Sequence, residues 1–223
     1  MTDVSGWLDN LTGPHFAQTI RSAGAPIEEA SAAVIMLHGR GATAEGILDL
    51  AELLAVPGVA FLAPQAPGNT WYPNRFLEPR NLNEPQLSSA QAVIARIISR
   101  LDNGGIPGER IVLLGFSQGA CLATDYAAHF SHARGGVIGF SGGLIGERID
   151  PEDYRGSLDG TPAFLGCSDI DPHIPVERVH ETAGVLEHLG ADVTTAIYPG
   201  MGHTINQDEI DHARRIIERL VAT

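Results

Sequence analysis

The sequence predicts an α/β protein with a mostly parallel central sheet covered by helices on both faces. Three observations carry that expectation. Short apolar runs without polar alternation recur along the chain, stretches with helical spacing lie between them, and glycine and proline mark the junctions instead of collecting in one linker. A strand buried on both faces reads as a continuous apolar run because neither side meets water. A helix lying on such a sheet needs only one apolar stripe.

The runs suited to parallel core strands are 33–37, 59–63, 111–116, 137–140, 163–167 and 193–198. Helical spacing marks 45–54, 87–101, 118–130, 176–189 and 207–220. This alternation of strand and helix implies βαβ units with right-handed crossovers. Residues 16–29 hold Gly24-Ala25-Pro26 between two moderately β-like pieces and read as a hairpin on the sheet edge. At 223 residues and 23.6 kDa, with no repeat period, the chain reads as one domain, 1–223.

Charge narrows the function. Fourteen basic residues face 27 acidic ones for a formal charge of -13, which repels phosphate backbones and anionic membrane surfaces, so no nucleic-acid partner is expected. The first residues carry neither a basic region nor an apolar stretch that could insert into or span a membrane, and a cytoplasmic protein is expected. The two cysteines, Cys121 and Cys167, sit inside apolar patterns and read as buried, unpaired thiols.

In an open parallel sheet, ligands bind beyond the carboxyl ends of the strands. Four polar stretches follow apolar runs there: His38-Gly39-Arg40-Gly41, Gly115-Phe116-Ser117-Gln118-Gly119, Ser168-Asp169-Ile170-Asp171 and Gly200-Met201-Gly202-His203. The second is a G-x-S-x-G pentapeptide between an apolar strand and a helical pattern, the context in which a serine hydroxyl is lifted above the sheet on a strained turn. Its glycines let strand and helix approach closely, and the helix dipole favours negative charge beside Ser117.

A serine hydroxyl is a poor nucleophile at neutral pH and needs a base held in one tautomer by a carboxylate. Nine histidines compete for that place. His129, His132, His180, His188 and His212 sit in or beside helical patterns, and His15 lies upstream of the sheet. His203 instead follows the last strand through a Pro-Gly-Met-Gly loop, on the same sheet edge as Ser117. For the acid, Asp169 and Asp171 both follow a strand, and either suits. A tetrahedral oxyanion also needs backbone donors. The Gln118 amide supplies one, and the glycine-flanked Arg40 amide is the fitting second.

Together Leu-His-Gly-Arg-Gly, Ala-Pro-Gln-Ala, Gly-Phe-Ser-Gln-Gly, Asp-Pro-His-Ile-Pro and Gly-Met-Gly-His resemble the phospholipase/carboxylesterase family, which includes the acyl-protein thioesterases. The resemblance covers nearly the whole chain after the first two dozen residues. It implies an α/β-hydrolase fold, and it places the acid before Pro-x-Val/Ile-Pro, which selects Asp171. The family usually has leucine where this chain has Arg40, so only the backbone donor carries over and the guanidinium adds charge beside the pocket. The family resembles the dienelactone hydrolases more distantly; their nucleophile is cysteine, so the serine at 117 weighs against that specific chemistry. Residues 63–76 resemble a subgroup of small bacterial hydrolases, some associated with aromatic compounds. Trp71, Tyr72 and Phe76 are therefore candidate pocket residues, although aromatic side chains suit a packed covering loop equally.

The expected activity is cofactor-free hydrolysis of short to medium carboxylic esters, small molecules, through an acyl-enzyme. No H-E-x-x-H or comparable metal-ligand pattern occurs. A thioester, lysophospholipid, lactone or aryl ester passes through the same oxyanion, and a non-catalytic binding protein on the same scaffold is the rival of a different class. A homodimer covering an apolar patch is compatible with a small esterase, and the sequence locates no such patch.

Overall fold

Alternate side chains of strand β3 (Ala32–Leu37) enter opposite layers. Ala33, Ile35 and Leu37 join one apolar cluster, while Ala32, Val34 and Met36 join another, all fully buried. Strand β5 (Ile111–Phe116) repeats this, sending Ile111 and Leu113 to the first cluster and Val112 and Leu114 to the second. Period two with both faces covered is the physical origin of the unbroken apolar runs.

The computed structural model describes residues 2–9, 12–16 and 18–222. Among them eight strands form one sheet. Its order is β1 (Thr2–Asp3), β2 (Ile20–Gly24), β4 (Val59–Pro64), β3, β5, β6 (Gly136–Phe140), β7 (Pro162–Ser168) and β8 (Asp192–Tyr198). Pairing is antiparallel from β1 to β4 and parallel from β4 to β8. Helices α2 (Gln86–Asn103), α3 (Gln118–Phe130) and α4 (Val176–His188) contribute to the first cluster. Helices α1 (Ala44–Leu53) and α5 (Gln207–Arg219) contribute to the second. All six expected strands and all five expected helices are present, and among the described residues no helix is long and apolar enough to cross a membrane.

Two expectations are corrected. Residues 16–29, of which residue 17 lies outside the described residues, form no hairpin: they hold the single strand β2, between β1 and β4. Gly24 turns at φ 78°, where an added Cβ would lie 2.5 Å from the Val59 carbonyl oxygen. The Ala25 amide donates to that same carbonyl at 2.9 Å. Pro26 has no N–H for a returning ladder, and a 3-10 turn at Ile27–Glu29 leads into β3 instead. Secondly, β8 is parallel but not a core strand. It pairs with β7 alone at the sheet edge, so Asp192 and Thr194 are exposed and its other residues are half-buried.

Helix α5 begins with a reciprocal cap. The Glu209 amide donates to Asn206 Oδ1 at 3.0 Å, and the Asn206 amide donates to Glu209 Oε2 at 2.8 Å. The Glu209 side chain is fully buried, and its Oε1 has no hydrogen-bond partner. Gly166 on β7 leaves it room, because a Cβ there would lie 2.2 Å from Oε1. Burial outweighs the Asn206 amide bond and pushes the Glu209 carboxyl up to about 7. The unfolded chain releases this proton near 4.5, so the group's contribution makes folded stability fall as pH rises from there to about 7. Glu209→Gln should therefore gain stability relative to the wild type between pH 5 and pH 8, read as the difference in urea midpoint. A difference independent of pH would place the proton elsewhere.

Candidate active site

Ser117 is the only break between β5 and α3, and its backbone is forced into φ 54°, ψ −120°. A side chain at positive φ costs on the order of 1–3 kcal/mol and persists only where its surroundings over-determine it. They do so here. An added Cβ on Gly115 would lie 2.3 Å from the Gly119 carbonyl carbon, and one on Gly119 would lie 2.0 Å from the Leu37 carbonyl oxygen, so β5, α3 and β3 meet where only glycine fits. The Ser117 amide donates to the Phe140 carbonyl at 2.9 Å, and the Ser117 carbonyl accepts the Cys121 amide at 3.0 Å.

The loop after β8 carries His203 back to this turn. Its Nε2 lies 2.9 Å from Ser117 Oγ and its Nδ1 lies 2.7 Å from Asp171 Oδ2. With Nδ1 protonated and donating to the carboxylate, Nε2 is left to accept the Ser117 hydroxyl proton. The imidazole packs against Phe116 and meets the His173 ring edge-on, with centroids 4.9 and 4.8 Å away. The Asp171 side chain is fully buried. Burial pushes its carboxyl up, but the bond from His203 and those from the His173 and Ile174 amides, at 2.8 and 3.0 Å, prevail and hold it below the usual carboxylate range.

Geometry separates the two acids that sequence left open. Asp169 does not reach the imidazole; its Oδ1 accepts the Gly200 amide at 2.7 Å. Ser168 Oγ accepts the Gly202 amide at 3.1 Å. The end of β7 thus pins the loop that delivers His203, while Asp171 meets the ring itself.

The Gln118 and Arg40 amides donate to no protein acceptor among the described residues; the first amides of a helix have no partner within it. The loop bearing Arg40 is shaped by His38, which is fully buried. His38 Nε2 accepts the Ala66 amide at 3.1 Å, so its Nδ1 carries the proton and donates to the Gly39 carbonyl at 2.8 Å. Burial lowers its pKa, against the Gly39 bond, in keeping with the neutral ring that these two bonds require.

Ser117, His203, Arg40 and Gln118 line one cavity of about 1000 Å3. Tyr72 and Phe76 line it as well, but Trp71 does not, which corrects its assignment to the pocket. Trp71 is fully buried beneath the loop: its indole N–H donates to the His38 carbonyl at 2.8 Å and its ring packs on His38 and His15. Both side chains of the pair Trp71-Tyr72 are buried in the same apolar layer, but only Tyr72 also borders the cavity. Sequence reasoning also passed over Phe116 and His173, which flank the imidazole, and Arg75, Glu78 and Leu82 on the cavity wall. Phe116 was legible in principle, being the variable residue inside the pentapeptide. His173 lay inside the Asp-Pro-His-Ile-Pro motif, and Arg75, Glu78 and Leu82 had no local signal. Cys121 touches the cavity, but burial pushes its thiol up to about 12, and Cys167 likewise; both are unpaired.

Residues 19–221 match the phospholipase/carboxylesterase family. A solved phospholipase/carboxylesterase from Dyadobacter fermentans is 41% identical, covering 93% of this chain and 99% of that one with a TM-score of 0.85. The esterase PE8 is 26% identical over 90% of this chain and 98% of its own, with a TM-score of 0.72. Acyl-protein thioesterase 1 of Gibberella zeae is 28% identical across 85% of this chain and 90% of its own length. The α/β-hydrolase architecture, the arrangement around Ser117 and these likenesses converge: the chain belongs to the phospholipase/carboxylesterase family and is a carboxylic ester hydrolase.

Proposed function

We propose that the chain is a serine carboxylesterase acting on short to medium acyl esters. Ser117 Oγ attacks the ester carbonyl while His203 Nε2 takes its proton, and Asp171 holds the ring and stabilises the imidazolium. The Arg40 and Gln118 amides receive the oxyanion. The tetrahedral intermediate collapses, His203 returns the proton to the departing alcohol, and water repeats the sequence to free the acid and Ser117. The observation that carries this reading is the unbroken relay, 2.9 Å from Ser117 to His203 and 2.7 Å onward to Asp171, beside a cavity that Arg40 and Gln118 also line.

A thioester, a lysophospholipid, a lactone or an aryl ester meets the same oxyanion donors, and the similarity to acyl-protein thioesterases favours the first of these as the second reading. The preference for shorter chains rests on residues 72–82 folded across the site, where Tyr72, Phe76 and Leu82 form apolar walls beside Arg75 and Glu78. Two unpaired, buried cysteines fit a reducing compartment, and we assign the reaction to the cytoplasm.

Initial rates on p-nitrophenyl esters from acetyl to palmitoyl test the reading. The wild type should prefer the short esters, and Ser117→Ala should lose about a thousandfold or more in kcat. A long-chain optimum would move the substrate class to lipids or acylated proteins, and equal activity of the variant would remove Ser117 from the mechanism. A companion pair separates the acids. Asp171→Asn should cost roughly a hundredfold or more in kcat by allowing the wrong tautomer, whereas Asp169→Asn keeps an acceptor for the Gly200 amide and should stay within about threefold. The reverse ranking would exchange their roles.

A further inference from the structure

Arg40 and Gln118, whose amides the mechanism above assigns to the oxyanion, stand on different elements, after β3 and at the start of α3, yet their side chains grip the same piece of backbone. Arg40 reaches out of its exposed loop and donates to three successive carbonyls, those of Tyr72 at 2.9 Å, Pro73 at 3.0 Å and Asn74 at 2.8 Å. Gln118, nearly fully buried, accepts the Trp71 amide at 2.9 Å through Oε1 and donates to the Tyr72 carbonyl at 2.8 Å through Nε2. The Tyr72 carbonyl therefore receives one bond from each. The same strap is stitched to the loop before and after Arg40: the Trp71 indole donates to the His38 carbonyl at 2.8 Å, and the Gly41 amide donates to the Asn69 carbonyl at 2.8 Å.

We propose that residues 71–74 are the positioning element of the oxyanion hole, joining its two donors through the Tyr72 carbonyl that the Arg40 and Gln118 side chains share. The proposal rests on the serine-hydrolase reading above and adds to it what sets the distance between the donors. Oxyanion donors act only when preorganised, and a displacement on the order of 1 Å can cost about a hundredfold in rate. A planar guanidinium can fan its N–H groups over three carbonyls at once, whereas an ammonium on a flexible stem offers the charge without the fork. Arg40 and Gln118 thus have two separable parts, a backbone amide that meets the substrate and a side chain that is a positioning group.

Side-chain variants keep both amides and test the strap alone. Arg40→Leu should lower kcat about tenfold to a hundredfold with KM little changed. It should weaken binding of phenylboronic acid, a tetrahedral mimic of the intermediate, by a similar factor. Arg40→Lys should recover little of either. Gln118→Leu should act in the same direction, and the double variant should lose less than the product of the single losses because both act through one carbonyl. Because Arg40 is exposed, its variants carry the test even if the Gln118 change prevents folding. Labelling by a fluorophosphonate separates the two layers of argument: a wild type that is not labelled at Ser117 defeats the serine reading itself. If Ser117 is labelled, the strap proposal alone is overturned by any of three results. These are full rescue by lysine, a rise in KM at constant kcat, or unchanged boronate affinity in Arg40→Leu.

Discussion

The approach of β3, β5 and α3 around Ser117 is the constraint on which the rest depends. Gly119 lies so near the Leu37 carbonyl that no side chain fits between them, and Gly115 is closed off by Gly119 in the same way. The chain must turn from strand to helix within one residue, and Ser117 takes the unfavourable dihedral that this requires. Two fully buried layers hold the three elements together, so the local strain is small beside the apolar area that would be exposed by relaxing it. The turn also leaves the first amide of α3 unpaired at a helix N-terminus, where negative charge is favoured.

Everything else at the site is brought to that fixed point by loops with polar anchors. The end of β7 does this twice over, since Ser168 and Asp169 pin the loop after β8 while Asp171, two residues on, contacts the imidazole that the loop delivers. The segment between β4 and α2 is anchored at its far end by Arg80, whose guanidinium donates to the fully buried Asp125 at 2.5 Å and to the Ile145 carbonyl at 3.0 Å. Gln91 donates to the same carboxylate at 2.8 Å. A buried carboxylate with a charged partner and further donors is satisfied, whereas the same group with one partner removed would be costly. This segment forms a cavity wall and is tied at both ends, to the turn of Ser117 through Gln118 and to α3 through Arg80.

The acidic surface and the site answer to different demands. A chain of formal charge -13 nevertheless places Arg40 and Arg75 on the wall of the cavity that holds Ser117. The Arg40 guanidinium is occupied by carbonyl dipoles and holds backbone in place. Glu209 shows the opposite case: a full carboxyl is buried behind Gly166 to cap α5, and that burial raises its pKa and makes its contribution to stability depend on pH.

The sequence by itself determined the elements and their layering, because a doubly buried strand must be apolar throughout and a covering helix must carry a stripe; both periods are local properties of the chain. It also marked Ser117, since the steric need for glycine on each side is written within five residues. Edges were not legible. Whether 193–198 lies inside the sheet or at its rim, and whether 16–29 folds back on itself or pairs with β4, depends on neighbours far along the chain. The same holds for side-chain placement: only the folded segment decides that buried Tyr72 borders the cavity while buried Trp71 does not, and only the course of the loop after β8 brings His203 to Asp171 rather than to Asp169. Residues two positions apart in sequence differ by several ångströms in what they can touch, and hydrogen bonds are decided by tenths. The chemistry of each residue type is therefore local and legible, whereas the pairing of residues 32 and 86 positions apart belongs to the tertiary structure.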